Sequence, residues 1–289
     1  MPHNPKKMNS LISSYIGAAT FNWQEFVCGW TAAVINVSVT YPINKLIFRQ
    51  MLHGIKANHA FDQLKHEGMY FLYRGMLPPL CQKSVSLSLM FGVYEEVRQP
   101  LVKIEVDPYS AKITGGLVSG TCESILTPFE RIQTLLANSK YHDELKNTMH
   151  SFRVLRPYGI REYYRGFLPV LLRNGPSNAC FFMLREELQD SINNIDSEML
   201  KTSAEFIGGA LIGVTLSTIF YPLNVVKVAM QNKIGGEFES PWRVLLRVYH
   251  ERGGKIQYIY HGVQMNCTRA FVSWGVMNAA YEHIKDIVY

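Results

Sequence analysis

Apolar residues gather along this chain into six stretches, roughly 24–50, 76–98, 109–137, 167–188, 202–231 and 263–285, with polar stretches between them. A helix needs about 20 residues to cross a bilayer, and the first, third and fifth stretches exceed that length. Each of these three also holds a proline, Pro42, Pro128 or Pro222. Proline removes a backbone hydrogen bond and clashes one turn back, so these helices are expected to kink, and kinked, tilted helices take up the surplus length. The stretches also carry Lys45, Arg49, Glu123, Glu130, Arg173, Lys227 and Arg269. Charges at such depth face protein or a water-filled cavity.

The same landmarks return three times. The tripeptide Tyr-Arg/His-Gly stands at Tyr73-Arg74-Gly75, Tyr164-Arg165-Gly166 and Tyr260-His261-Gly262, with the glycines 91 and 96 residues apart. The three prolines are 86 and 94 apart, and thirteen residues before each comes Gly29, Gly115 or Gly209. Four residues after each of those glycines is a small residue, Ala33, Ser119 or Gly213, a spacing that lets helix backbones approach closely. Nineteen residues after each tripeptide glycine the chain reads Tyr94-Glu95-x-x-Arg98, Arg185-Glu186-x-x-Gln189 and Tyr281-Glu282-x-x-Lys285. Long-period self-similarity of this kind defines the architecture before any local reading does. Each repeat is a long apolar helix, a polar loop with a short helix, and a second apolar helix. Residues 1–23 precede three units at 24–104, 105–198 and 199–289.

Composition removes several classes of function. Charged residues are 18% of the 289, against about 25% in typical soluble proteins, while apolar residues reach 47% and aromatics 12%. That balance argues against disorder and against a nucleic-acid-binding tail. The five cysteines are scattered and form no C-x-x-C pair, which argues against a disulfide framework or a zinc site. The segment Met1 to Ser14 has no apolar core ending at a small-residue cleavage site, so no secretory signal is expected. No G-x-G-x-x-G or P-loop string occurs, no Ser, His and Asp arrangement suggests a nucleophile, and the nine histidines lie mostly in loops. Neither enzymatic chemistry nor a metal is expected. Lys and Arg number 3, 6 and 5 in the long loops 51–75, 138–166 and 232–262, but one each in the short loops 99–108 and 189–202. The long loops therefore belong on the side equivalent to the bacterial cytoplasm, and both termini on the other.

Over about residues 24 to 286 the chain resembles the mitochondrial carrier family, whose repeats follow Pro-x-Asp/Glu-x-x-Lys/Arg, then Tyr/Phe-Arg/Lys-Gly, then Tyr/Phe-Asp/Glu-x-x-Lys/Arg, although several of the charged positions are replaced here. Within it, the strings Tyr73-Arg-Gly-Met-Leu-Pro-Pro-Leu, Gln82-Lys83, Glu162-Tyr-Tyr-Arg-Gly, Arg173-Asn174-Gly175, Ile234-Gly-Gly-Glu-Phe238 and Ser273-Trp-Gly275 are most similar to the branch that carries NAD. The resemblance implies an all-α membrane protein, a six-helix pseudo-threefold bundle of three tandem repeats. It also implies a monomeric alternating-access transporter in the mitochondrial inner membrane, with both termini toward the intermembrane space. NAD would be its substrate rather than a cofactor.

The resemblance assigns residues as well. At the matrix gate the family's acidic positions are occupied by Asn44, Glu130 and Asn224, and its basic positions by Ile47, Gln133 and Lys227. Family geometry would pair Glu130 with Lys227, Asn44 with Gln133 and Asn224 with Ile47, leaving a single ion pair. At the cytosolic gate it would pair Glu95 with Gln189, Glu186 with Lys285 and Glu282 with Arg98, so two pairs stay charged. The unequal gates imply an empty carrier that populates the matrix-open state more than family members with three intact matrix pairs do.

The family's substrate site lies about seven residues after each tripeptide glycine, which lands on Gln82 with Lys83, on Arg173 with Asn174, and on Arg269. Three cations at one depth suit a carboxylate or phosphate, which arginine engages with two parallel hydrogen bonds. Glu123 lies two helical turns before Glu130 and shares its face. It either meets the cationic nicotinamide ring or neutralises Arg173 or Lys83. The competing functions are a carrier of another nucleotide-type anion such as a coenzyme A derivative or flavin nucleotide, a non-transporting scaffold, and a soluble helical enzyme.

Overall fold

The computed structural model describes residues 23–193 and 197–288, so the expected N-terminal segment lies outside it but for its last residue. In the first repeat the chain runs through α1 (Trp23–His53), the loop helices α2 (Ala57–Glu67) and α3 (Met69–Tyr73), and α4 (Leu77–Lys103). The second comprises α5 (Pro108–Glu123), a 3-10 turn (Ser124–Leu126), α6 (Thr127–Ala137), α7 (Thr148–Leu155), α8 (Ile160–Tyr163) and α9 (Phe167–Ile192). The third comprises α10 (Glu198–Ile219), α11 (Tyr221–Gln231), α12 (Pro241–Glu251), α13 (Ile256–Ile259) and α14 (Val263–Val288). Among the described residues there is no strand.

The prolines act differently in the three repeats. Pro128 and Pro222 sit in the first turn of new helices, α6 and α11, where the missing N–H has no partner to lose. The α10–α11 break bends the path by 57°. Pro42, by contrast, lies inside α1, which is assigned as one continuous helix. Just before that proline the hydroxyls of Ser38 and Thr40 donate one turn back, to the carbonyls of Val34 and Asn36. By length and composition no single described helix is apolar enough to cross a membrane, and only the bent pair Ser203–Ile219 with Tyr221–Gln231 qualifies. The polar and charged residues on these helices, discussed below, lower their mean hydropathy.

The tripeptide glycines end the loops in a way only glycine tolerates. Gly75, Gly166 and Gly262 have φ of +85°, +79° and +100°. In the first and third repeats the tyrosine before the proline fastens the helix to this turn. Tyr41 donates its hydroxyl to the Arg74 carbonyl at 2.7 Å, and Tyr221 to the His261 carbonyl at 2.7 Å. In the second repeat that position is Thr127, too short to reach, and its hydroxyl bonds the Ser124 carbonyl at 2.6 Å.

Packing is closest between α5 and α9. A Cβ on Gly116 would run into the Ala179 backbone, and one on Gly120 would lie 2.5 Å from Asn174. Gly115, one of the repeated small residues, packs instead on Tyr94 of α4. Gly213, its neighbour in the repeat scheme of α10, meets nothing within 4 Å, so the expected helix contact is absent there and the position borders a cavity. Apolar clusters sit at the loop end of each repeat, for example Ile132, Leu135, Leu136, Tyr141, Leu145 and Leu155 in the second. The bundle is thus held by compact cores at its loop end, while polar groups converge above them.

Candidate functional site

Glu130, in the first turn of α6, is buried and accepts three hydrogen bonds. Its partners are Lys227 of α11 at 2.9 Å, Arg173 of α9 at 2.9 Å and Gln82 of α4 at 2.9 Å. One carboxylate therefore joins elements of all three repeats. Arg173 spreads its fork further, to Asn224 Oδ1 at 2.6 Å and Asn174 Oδ1 at 2.9 Å. The Glu130–Lys227 pair forms where family geometry puts it. At the other two expected positions, Asn224 accepts a hydrogen bond from Arg173, and among the described residues Asn44 and Gln133 share none. The loop end is closed by convergence on one acid instead of three separate pairs.

A cavity of about 300 Å³ lies beside this junction, lined by Glu123, Arg173, Asn174, Ser177, Asn178 and Asn224 among others. Glu123 receives hydrogen bonds from Asn178 at 3.1 Å and from the Ser86 hydroxyl. Among the described residues it forms no ion pair with Arg173 or Lys83, though Arg173 lines the same cavity. Lys83 and Arg269 lie near enough to one another for their charges to interact, and among the described residues neither is in an ion pair. Arg269 donates to Asn266 at 3.1 Å, which in turn donates to Ser217 at 3.1 Å. Lys83, Arg173, Lys227 and Arg269 against Glu123 and Glu130 leave a surplus of two positive charges at the centre of the bundle. An unbalanced cationic centre costs desolvation energy that a bound anion offsets.

Away from the loop end the helices stand apart. A larger cavity of about 750 Å³ lies between α9 and α10 and reaches Phe91 of α4 and Gly275 of α14. Gln189 lines it and makes no contact with Glu95 among the described residues. Arg98 bonds Glu186 at 3.0 Å and lies 3.6 Å from Glu95 of its own helix, while Lys112 also pairs with Glu186. Glu95 and Gln189 share no hydrogen bond at this open end; the side chains of Glu282 and Lys285, on which the other two expected pairs depend, lie outside the described residues.

The repeat pattern did not reveal a second buried network. Glu162 accepts from Arg131 at 2.7 Å and from both sides of the Arg165 fork at 3.1 and 2.9 Å. It also accepts from the Gly235 amide at 3.1 Å, while Arg165 donates to the Gly236 carbonyl at 2.8 Å and stacks over Phe238 at 4.3 Å. Glu162 and Arg165 thus clamp the glycine loop of the third repeat to the second. The strings containing Glu162 and Ile234 to Phe238 are visible in the sequence, but only tertiary packing shows that they are partners.

Comparison with known proteins agrees with this architecture. The family model for mitochondrial carrier protein matches residues 19–105, 105–196 and 198–289. A mitochondrial nicotinamide adenine dinucleotide transporter of Homo sapiens is 43% identical over 92% of this chain and 90% of its own length. Another of that description, from Mus musculus, is 42% identical over 97% of this chain and 94% of its own. A mitochondrial arginine transporter of Arabidopsis thaliana is 30% identical over 91% of each chain. Three matched repeats, six long helical paths and a polar centre closed at one end are properties of one protein group, and this chain belongs to the mitochondrial carrier family.

Proposed function

We propose that this carrier imports NAD into the mitochondrial matrix by alternating access, without chemistry on the substrate. The observation that carries the reading is a surplus of two positive charges among the charged side chains of the central helices, beside a cavity lined by Arg173 and by the unpaired carboxylate of Glu123. The pyrophosphate of NAD bears two negative charges and its oxidised nicotinamide ring one positive charge. Arg173, Arg269 and Lys83 take the pyrophosphate, with Gln82 and Asn174 orienting the cationic groups. Glu123, held in place by Ser86 and Asn178, takes the ring. Similarity to transporters of nicotinamide adenine dinucleotide over nearly the whole chain supports the same substrate. In this reading the closed loop end is the matrix gate, the open end and both termini face the intermembrane space, and the carrier works as a monomer in the inner membrane.

The test is uptake into proteoliposomes of a labelled panel of NAD, NADH, coenzyme A and flavin nucleotides. NAD is taken up in preference to the rest. Arg269→Ala removes a charged hydrogen-bonding partner worth roughly 1.5 to 3 kcal/mol and lowers uptake at least tenfold, with thermal stability retained. Glu123→Gln narrows the preference for NAD over NADH, because reduction removes the ring charge that the carboxylate meets. Uptake of coenzyme A or a flavin nucleotide in place of NAD, or wild-type uptake by the Arg269 variant, overturns the assignment.

A further inference from the structure

Helix α9 carries more than the anion-binding arginine. Arg173, Ser177, Phe181 and Arg185 follow one another at intervals of four, a spacing that stacks side chains along one slowly turning face. Arg173 and Ser177 line the smaller, polar cavity. Arg185 lines the larger, open one, and Phe181 lines both. The two cavities therefore adjoin at the Phe181 ring. At 1.5 Å per residue that ring lies roughly 12 Å along the helix from Arg173.

The surroundings of Phe181 are aromatic and cationic, and Glu205, the acidic residue lining the larger cavity, forms no ion pair with Arg185. Phe182 packs edge-on against Phe181 at 5.6 Å between centroids and against Phe91 at 5.5 Å. The Arg185 guanidinium sits over the Phe91 ring at 5.2 Å and, among the described residues, forms no ion pair. Phe91 is 37% exposed although it lies within the bundle, because it fronts the open cavity. Flat aromatic rings beside a weakly hydrated planar cation form a surface on which a purine stacks, and such stacking tolerates any base because every base has a π-face.

We propose that Phe181, Phe91 and Arg185 form a nucleobase subsite that receives the adenine of a dinucleotide whose pyrophosphate lies on Arg173 and Arg269. The proposal rests on the NAD reading and extends it along α9 toward the open end. The direction follows from charge. Glu123 in the polar cavity attracts the nicotinamide cation, so the uncharged adenine is the end that points to Phe181. Stacking there gives the intact dinucleotide an advantage over a mononucleotide that carries the nicotinamide and one phosphate alone.

The experiment measures half-saturation for NAD uptake into proteoliposomes, and inhibition of that uptake by nicotinamide mononucleotide, in wild type and in Phe181→Leu, Arg185→Ala and Phe181→Trp. Leucine removes the π-face with little change of volume, and Arg185 is exposed. Phe181→Leu raises the NAD half-saturation on the order of tenfold, the factor expected for one lost base stack. Arg185→Ala raises it severalfold, Phe181→Trp stays close to wild type, and the mononucleotide inhibits all four proteins at similar concentrations. Unchanged NAD affinity in Phe181→Leu, or equal weakening of NAD and the mononucleotide, overturns the subsite while leaving NAD transport intact. Absence of NAD uptake by wild type overturns the transport reading and the subsite together.

Discussion

Gly262 sits at φ +100°, and a Cβ there would collide with the Tyr221 hydroxyl and come within 3.1 Å of Gln50. Gly262→Ala therefore combines backbone strain of about 1–3 kcal/mol with loss of the Tyr221 bond to the His261 carbonyl. Gly159 has a similar φ of +82° but open space around it. Thermal unfolding in detergent should show a larger drop for Gly262→Ala than for Gly159→Ala; equal drops would mean that the tyrosine latch contributes nothing. His142, in the long loop of the second repeat, stacks on Phe71 at 4.3 Å between ring centroids. Burial pushes its imidazole down to about 4; Glu67 opposes that shift, and Arg74, Lys45 and Arg49 add to it. The folded protein thus prefers the neutral ring. Its stabilising contribution is complete above the unfolded value of about 6.5 and is lost as pH falls through that value toward 4. Between about pH 7 and pH 5 wild type should lose more thermal stability than His142→Phe, which keeps the stack and cannot protonate. Parallel losses would assign the acid sensitivity to other groups.

Between elements, the strongest single tie is the Glu162 clamp. Glu162→Gln would leave Arg131 and Arg165 buried without their counter-charge, a change that typically costs about 3–5 kcal/mol. Lower thermal stability together with faster proteolysis near residues 233–237 is the expected outcome, and an unchanged protein would mean that the backbone carbonyls of the glycine loop suffice to hold both arginines. The positions of the six long helical paths were legible beforehand to within a few residues, because glycine, proline and tripeptide landmarks recur with the fold's own period. That period says where helices lie and much less about whether they break. Pro42 and Pro222 look alike in sequence, yet α1 is continuous while α10 and α11 part at Phe220. Likewise Ser119 and Gly213 share a repeat position, but Ser119 of α5 is fully buried while Gly213 of α10 stands beside a cavity. The Glu162 clamp was not legible because its partners are contributed by another repeat, 71 to 73 residues on. For the central site, spacing from the tripeptide glycine picks out Gln82, Arg173 and Asn174, which meet at one junction, but the convergence of Gln82 and Arg173 on Glu130 depends on how three helices lean together.

In the molecule as a whole, that convergence would link the proposed matrix gate to the proposed binding site. Counting charges position by position leaves one ion pair to close the loop end, which predicts a matrix-open state more populated than in carriers with three such pairs. In the structure the loop end is closed and the opposite end open, with Glu130 gathering Lys227, Arg173 and Gln82. Arg173 has two claims on it, the gate carboxylate and the anion that the cavity is charged to receive. If the proposed site assignment holds, a phosphate drawing the Arg173 fork away from Glu130 would weaken the closed loop end at the moment the site is filled, and a shift of about 1.4 kcal/mol changes a two-state ratio tenfold. Charge exchange separates this hub from a simple pair. Glu130→Lys sets a third cation against Lys227 and Arg173, and Lys227→Glu sets two carboxylates together, so each single variant should lose uptake. In the double exchange the new pair re-forms in reverse, but Arg173 then confronts a lysine where it had a carboxylate and finds its counter-charge one helix farther off, on α11. The double variant should therefore recover only a small part of NAD uptake in proteoliposomes. Adding Arg173→Gln to the double exchange should relieve the repulsion, raising thermal stability over the double exchange without raising uptake, since the anion has lost its arginine. Full recovery by the double exchange alone would show that Glu130 and Lys227 act as an isolated pair and that the gate does not share Arg173 with the substrate.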